Sequence, residues 1–464
     1  MQGEAHYALA NAWLCRETEK FHERWPECKS LCLQWSVWSG VGMGERLGTV
    51  ESLMANGITP ITVDQGVQSF LHAVGCPGTS PSVIVAGRLG RMPTLNVHDD
   101  DLPLYRFLES APVYYPGVEL IAEAELTRNK DLYLSDHVFD GETLFPAVMA
   151  IEAMAQVSVA VTGLYGLPRF ENIRFNQPII VSGESTTVRL AALVRDEREV
   201  EVVIFSDRDD FQQECVRAIC RFSGDTASPS ASLDVRCERR DQVELRPEDD
   251  LYGKILFQKG KFQRLQHYHY LTAKESVANV KVNTSEKWFG QYLSNTIVTG
   301  DPGLRDAVLH SLQASVPHSG VIPVSVEKLF TAPMNREMAP ESLQVYAKER
   351  RREGDYFVYD VTVRSADGRV FEQWEGLRLK MVGSKKVMSE WQVPLVGPYL
   401  QRRIEELLHR SDAAPAVLTG RVSRDRKRGI YGPGICRHAR RRVYRRRPAR
   451  SGRQVHQFDR AAAR

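Results

Sequence analysis

The sequence has no uninterrupted apolar run long enough to cross a bilayer. A spanning helix needs roughly 20 mainly apolar residues. The best candidate in these 464 residues, FPAVMAIEAMAQVSVAV, is shorter and carries Glu152 and Gln156 within it. A carboxylate near the centre of a span costs about 2.5 to 3.5 kcal/mol on insertion scales. The opening MQGEAHYALANAWLCRETEK lacks the basic-then-apolar order of a signal peptide. No membrane partner is expected, and a soluble, cytoplasmic protein is. Clustered cysteine is also missing. Of eight cysteines only Cys28 and Cys32 have a metal-like spacing, and no second pair stands near them. Reduced thiols are therefore expected, not a disulfide framework or a zinc site. His267 and His269 alternate with Tyr268 and Tyr270 along a strand, so they face one way, but without a third ligand no metal is expected.

What is present is apolar material, 42% of residues, sufficient for two or three domains with their own cores. The formal charge of +3 hides an asymmetry. From Arg421 onward there are sixteen basic and two acidic residues, a balance of +14, so the remainder carries −11. The segment RVSRDRKRGIYGPGICRHARRRVYRRRPAR has no hydrophobic periodicity, and residues 421–464 are expected to form a disordered Arg-rich tail. Such charge is the footprint of nucleic-acid binders. The tail lacks interleaved aromatics and begins abruptly, so nucleic acid is not expected as a partner.

Residues 1–92 contain the helical YALANAWLCRETEKF, the apolar run CKSLCLQWSVWSGVGMG and the terminal VIVAGR. That is a helix, a buried strand and an excursion, which suits the last part of an α/β domain. From about residue 103 a different arrangement occurs twice. Extended VYYPGVELIAEAEL leads to the apolar helix and then to four strands, FENIRFNQPIIV, STTVRLAALVRD, EVEVVIFSD and QECVRAICRFSG, filling 103–225. In 248–385 the extended GKFQRLQHYHYLTAKESVANVKV precedes the helix LRDAVLHSLQAS and the strands PVSVEKL, SLQVYAKERR, YFVYDVTVRSADGRV and FEQWEGLRLKMV, the last two joined by a hairpin signal at Asp367-Gly368. One apolar helix wrapped by an antiparallel meander, present twice, predicts an α+β double hot dog fold. A helix enclosed in this way must be apolar nearly all round. Residues 386–420 are expected to be a linker helix.

The approach to the first helix carries the spacing His137-x-x-x-Gly141-x-x-x-x-Pro146. Pro146 fits a helix start, where its fixed φ and missing N–H cost little. The free N–H groups of Ala147 and Val148 then point out of a helix N-terminus that favours negative charge. A thioester oxygen placed there would be stabilised as its α-proton leaves. His137, on the approach loop, has an ordinary pKa suited to taking that proton, and Gly141 allows the turn between loop and helix.

These residues reproduce the HxxxGxxxxP motif, and about residues 103 to 382 resemble the dehydratase domains of polyketide and fatty acid synthases. The resemblance implies a base for the α-proton, an acid for the departing hydroxyl, and no cofactor. Two carboxyls compete as acid. Glu152 sits in PAVMAIEAMAQ, which resembles the helix of single hot dog dehydratases. Asp306 sits in LRDAVLH, which resembles the Asp-x-x-x-(Gln/His) motif of the synthase domains, with His310 in its last position and one helical turn away. In hot dog pairs the base comes from one half and the acid from the helix of the other, so His137 should meet Asp306. Glu152 would then need a base near LYGKILFQKGKFQ, residues 251 to 263, which has no histidine. One active site is expected, with Glu152 structural. The same stretch resembles a family segment ending in Phe-Gln, here Gly260, Phe262 and Gln263, without its usual Tyr-Gly-Pro. That resemblance makes Gln263 a candidate substrate contact.

Residues 1–92 resemble the C-terminal portion of a polyketide-synthase ketoreductase, with Tyr7 and Asn11 in its Tyr-x-x-x-Asn pattern and LQWSVWSGVGMG as its post-catalytic strand. No Gly-rich dinucleotide loop precedes Tyr7, so a catalytically inactive, partial Rossmann-like remnant is expected. This order of segments, with VPLVGPYLQRRIEELL, looks most like an iterative enediyne-type synthase. The implied reaction converts a 3-hydroxyacyl chain on an acyl carrier protein to the 2-enoyl thioester. Other synthase domains and a second copy of the chain, in a homodimer, are the further implied partners. A hot dog thioesterase and a noncatalytic, truncated synthase fragment are the alternatives.

Overall fold

In the computed structural model, which describes residues 5–76, 80–90, 102–222, 243–334, 339–384 and 392–410, the chain starts with a 20-residue helix, α1 (Ala5–Arg24). It is followed by β1 (Cys32–Trp35), the short helices α2 (Met43–Arg46) and α3 (Val50–Ala55), helix α4 (Val63–Gly75) and β2 (Ser82–Val85). Helix α4 begins with a capping box, Thr62 and Gln65 each bonding the other's backbone N–H. Strands β1 and β2 pair in parallel. The strand expected to be buried is not: no residue of β1 is buried, and Ile84 of β2 is 70% exposed. Among the described residues the two strands form a sheet of their own, without the second neighbour that buries a parallel strand. The thiol of Cys32 meets Cys15 at 2.8 Å, while Cys28 is exposed. That hydrogen bond, with burial, pushes the Cys32 thiol up to about 11.

The central region opens with the hairpin β3 (Ser110–Tyr115) and β4 (Glu119–Leu126), then β5 (Val138–Phe139), β6 (Glu142–Leu144) and helix α5 (Ala147–Thr162). Strands β7 (Arg169–Phe175), β8 (Ile180–Val181), β9 (Thr186–Asp196), β10 (Glu199–Ser206) and β11 (Val216–Arg221) complete the first half. The second half runs through α6 (Pro247–Asp250), β12 (Leu265–Leu271), β13 (Glu275–Lys281), α7 (Pro302–Ser311), β14 (Ser319–Thr331), β15 (Ser342–Glu353), β16 (Tyr356–Arg364) and β17 (Val370–Ser384). The GKFQRL…VKV stretch, expected as one extended segment, is a hairpin, because Thr272 closes a turn to Glu275 between β12 and β13.

Twelve of these strands form one antiparallel sheet in the order β12-β13-β15-β16-β17-β14-β7-β11-β10-β9-β4-β3. The halves join where β14 pairs with β7, Val326 opposite Ile173. In each half the sheet is laid around a helix. Every residue of α5 from Val148 to Val161 is buried, as are all ten residues of α7, which explains why the first helix reads as apolar on all sides. Asp301 caps α7 by accepting from the Gly303 N–H, and Pro302 occupies the first turn, where its missing donor is no loss.

Helix α8 (Val393–Arg410) lies in the stretch expected to be a linker, yet it is anchored to the second half. The buried guanidinium of Arg402 bonds the Tyr359 hydroxyl at 2.9 Å and pairs with Glu349 at 2.5 Å. No helix among the described residues is long and apolar enough to cross a membrane. The Arg-rich segment 421–464 lies outside the described residues.

Glu152 is fully buried on α5 and accepts four hydrogen bonds. Gln156 Nε2 and Val298 N–H donate to Oε1, at 2.8 and 2.7 Å, and Thr299 N–H and Oγ1–H donate to Oε2, at 2.8 and 2.7 Å. The carboxylate thus ties the first helix to the entry of the second, and Arg305 extends the network by donating to Thr299 Oγ1 at 2.8 Å. Glu152→Ala leaves several buried donors without an acceptor and should lower stability by about 3 kcal/mol or more, read as a fall in the urea midpoint with unchanged slope. Glu152→Gln, which keeps the shape and one acceptor, should cost less.

Candidate active site

A tight turn over Leu132–Asp136 ends at His137, and the chain doubles back through the β5–β6 hairpin. Its two loop residues, Asp140 and Gly141, both have positive φ, 50° and 86°. This is the geometry that matches the twist of a two-residue hairpin and favours Asp-Gly. The return strand brings Leu144 back to His137: Leu144 N–H donates to the His137 carbonyl at 3.0 Å, and His137 Nδ1–H donates to the Leu144 carbonyl at 3.1 Å. With the hydrogen on Nδ1, the free lone pair is on Nε2. The ring meets Phe257 and Phe262 edge to face, centroids 4.9 and 5.4 Å away. Burial lowers its pKa below the ordinary imidazole value, opposed in part by the neighbouring Asp306, so the base is neutral near neutral pH.

Helix α7 of the second half brings Asp306 to the same point. Its Oδ1 is 3.9 Å from His137 Nε2, and its Oδ2 is 3.0 Å from His310 Nδ1. His310 Nε2 lies 3.0 Å from the Tyr252 hydroxyl, whose oxygen accepts the Leu265 N–H at 3.1 Å. Burial pushes the Tyr252 phenol well above its usual range, so it keeps its hydrogen and donates it to His310 Nε2. His310 then carries its own hydrogen on Nδ1 and donates it to Asp306 Oδ2. The relay occupies one carboxyl oxygen and leaves Oδ1 to face the base.

Pro146 is the N-cap of α5, one position before the helix proper. Its carbonyl accepts from Met149 and Ala150, each at 3.0 Å. The N–H groups of Ala147 and Val148 precede this ladder. Ala147 lines the cavity, while the Val148 side chain is buried in the core. The cavity has a volume of about 300 Å³ and is lined by residues of both halves, among them His137, Ala147 and Asp306 and the apolar Val321, Pro323 and Val382.

Gln263, expected as a substrate contact, is exposed and outside this wall; its Nε2 donates to the Gln258 carbonyl at 3.2 Å. The reason lies in the turn before it. Asp136 accepts Lys259 N–H on its carbonyl at 2.9 Å and Lys261 N–H on Oδ2 at 3.1 Å. Gly260, with φ 47°, sits so close that a Cβ would fall 2.5 Å from Asp136 Oδ1. With the turn clamped in this way, Gln258 is among the residues lining the cavity and Gln263 is not. Gln258, Tyr252 and Phe257 are the members of the site that sequence reading missed.

Tyr7 and Asn11 lie on α1, outside the cavity; Asn11 Nδ2 donates to the Tyr7 carbonyl at 3.0 Å, and the Tyr7 side chain is half exposed. Among the described residues no group of three or more His, Cys, Asp or Glu is arranged to hold a metal.

Among solved structures similar to this chain is the dehydratase domain of a mycocerosic acid synthase-like polyketide synthase, 18% identical with a TM-score of 0.49, over 63% of this chain and 100% of that one. The dehydratase domain from the CurF module of curacin polyketide synthase is 16% identical with a TM-score of 0.48, over 61% and 100%. That of PpsC from Mycobacterium tuberculosis is 17% identical with a TM-score of 0.47, over 60% and 100%. No curated protein matches the sequence. Two family models do: residues 112–207 match the polyketide synthase dehydratase domain, and residues 230–389 match the polyketide synthase dehydratase N-terminal domain. Together they take in both wrapped helices and both proposed catalytic side chains, and on that ground the chain carries the dehydratase domain of a polyketide synthase.

Proposed function

We propose that His137 and Asp306 remove water from a 3-hydroxyacyl chain held as a thioester on an acyl carrier protein, giving the 2-enoyl thioester. The observation that carries this reading is the approach of His137 Nε2 to Asp306 Oδ1, 3.9 Å apart in one cavity. A neutral imidazole with its lone pair on Nε2 takes the α-proton. The electron pair released closes the double bond, and Asp306 Oδ1 gives a proton to the departing hydroxyl. Negative charge gathers on the thioester oxygen as the α-proton leaves, and the N–H groups of Ala147 and Val148, at the positive end of α5, stabilise it there. The apolar wall formed by Val321, Pro323 and Val382 suits the remainder of an acyl chain.

The ketoreductase-like segment preceding the dehydratase supports placement in an iterative, enediyne-type synthase, whose other domains and carrier protein would be the partners. A thioesterase on the same fold would use a carboxylate-activated water and release the free acid. Incubation with a 3-hydroxyacyl thioester separates the two by product mass.

His137→Ala should lower turnover by about 10² to 10⁴ while leaving the thermal transition in place, because the residue sits on a loop. Asp306→Asn should be nearly as damaging, since an amide has no acidic proton to give. The double variant should be scarcely worse than either single one, as for residues acting as one unit; steady-state kinetics on a carrier-bound substrate measure all three. Because burial lowers the His137 pKa, its basic form persists into more acidic solution, and the acid limb of kcat/KM should fall below pH ~6.5. For residues 1–92 we expect no reductase chemistry: NADPH titrated into the chain should give no saturable fluorescence enhancement.

A further inference from the structure

We propose that His267, His269 and Asn279 form a binding site for a divalent transition-metal ion of the zinc, nickel and copper class, separate from the catalytic pair. None of the three residues lines the cavity that holds His137 and Asp306.

The sequence offers two histidines facing one way and no third ligand; the fold supplies one from the neighbouring strand. In the pairing of β12 with β13, His267 stands opposite Asn279. The register slips between Leu265 and His267 and again between Tyr268 and Tyr270. Irregularities of this kind re-aim side chains, and here His269 Nε2 lies 3.2 Å from His267 Nε2 and 3.0 Å from Asn279 Oδ1. The two rings are nearly perpendicular, with centroids 4.6 Å apart. The strand is anchored between them, since Tyr268 is buried and its hydroxyl donates to the Ser311 carbonyl at 2.7 Å. His267, His269 and Asn279 themselves are only half-buried.

Hydrogen bonding alone leaves this arrangement in conflict. His269 Nε2 carries at most one hydrogen. With that hydrogen in place, His267 Nε2 and Asn279 Oδ1 must share it; without it, the lone pairs of His269 Nε2 and Asn279 Oδ1 face each other. A cation removes the conflict, because all three atoms can turn lone pairs to one centre while each ring keeps its hydrogen on Nδ1. The spacing suits such an ion. Zinc binds imidazole nitrogen at about 2.0 to 2.1 Å, so two ligands of a tetrahedral ion stand about 3.3 Å apart. Two neutral imidazoles and one amide oxygen favour this class over Mg²⁺ and Ca²⁺, which take sets of oxygen ligands. Asn279 is a donor outside the His, Cys, Asp and Glu groups considered above, and water would fill the fourth position. Because β12 is at the end of the twelve-stranded sheet, the ion would also fasten an edge strand to its neighbour.

The test uses the full chain without an affinity tag, freed of metal with a chelator at neutral pH. Diethylpyrocarbonate modifies accessible imidazoles, and trypsin then releases LQHYHYLTAK, which carries both rings, so mass spectrometry reads this site apart from every other histidine. Zn²⁺ should protect both rings in a saturable way, and Mg²⁺ should protect neither. His269→Ala should raise the Zn²⁺ concentration that half-protects His267 by about tenfold or more. Asn279→Ala should raise the half-protecting concentration in the same direction, and Asn279→Asp, with an anionic oxygen, should lower it. Thermal melts verify the fold of each variant, and the native-chain measurement needs no variant at all. Modification that is unaffected by Zn²⁺, rings that do not react even without metal, or equal protection by Mg²⁺ would each overturn the proposal. An Asn279→Ala curve that overlays the native one would overturn the three-donor site.

Discussion

The position of the base depends on a contact made one residue before it. Asp136 takes the Lys259 and Lys261 N–H groups, and that grip requires the missing side chain of Gly260, since a Cβ there would overlap the carboxylate. Through it the loop of the first half is fastened to the 257–262 turn of the second. Phe257 and Phe262 then close on the imidazole, and their burial of the ring is what lowers its pKa. Geometry and acidity of the base thus share one cause, a turn whose backbone only glycine adopts without strain.

The acid is held by a longer device. Leu265, Tyr252, His310 and Asp306 form a chain of hydrogen bonds in which each donor's direction follows from the one before. An isolated buried carboxyl could offer either oxygen; this one cannot. Elsewhere the fold keeps its buried polar groups in similar networks, Glu152 with Thr299 and Arg402 with Tyr359 and Glu349. Partly satisfied networks are costly in a low-dielectric interior, whereas satisfied ones favour one arrangement over its neighbours.

Much of the site could be read from local sequence. The His137, Gly141 and Pro146 spacing spans a single hairpin and helix start, and Asp306 with His310 is one helical turn. Such short-range relations survive in sequence because the backbone fixes them. The two wrapped helices were legible from their apolar composition, and the Asp367-Gly368 hairpin from its turn residues. Gln258 was not legible, because FQKGKFQ offers Phe-Gln twice and the resemblance singled out the second copy. The Asp136 clamp, formed across more than a hundred residues, selects the first. Tyr252 was missed likewise, since its partner His310 is 58 positions away. The buried character expected of β1 failed for a different reason: apolar composition reports what a strand could pack against, not whether a neighbour is present.

The seam between β7 and β14 bears on how the protein is made. Ile173 and Val326 are opposite each other in the sheet, so about 150 residues must leave the ribosome after β7 before its partner strand exists. During that interval the first half has an open hydrogen-bonding edge and an unfinished cavity wall. Unpaired edges of this kind invite pairing with another chain, and sheets built on such distant contacts form slowly. The yield of soluble protein should therefore be governed less by the stability of the finished sheet than by the protection given to one nascent strand, and slowing synthesis between residues 175 and 319 would lengthen its exposure.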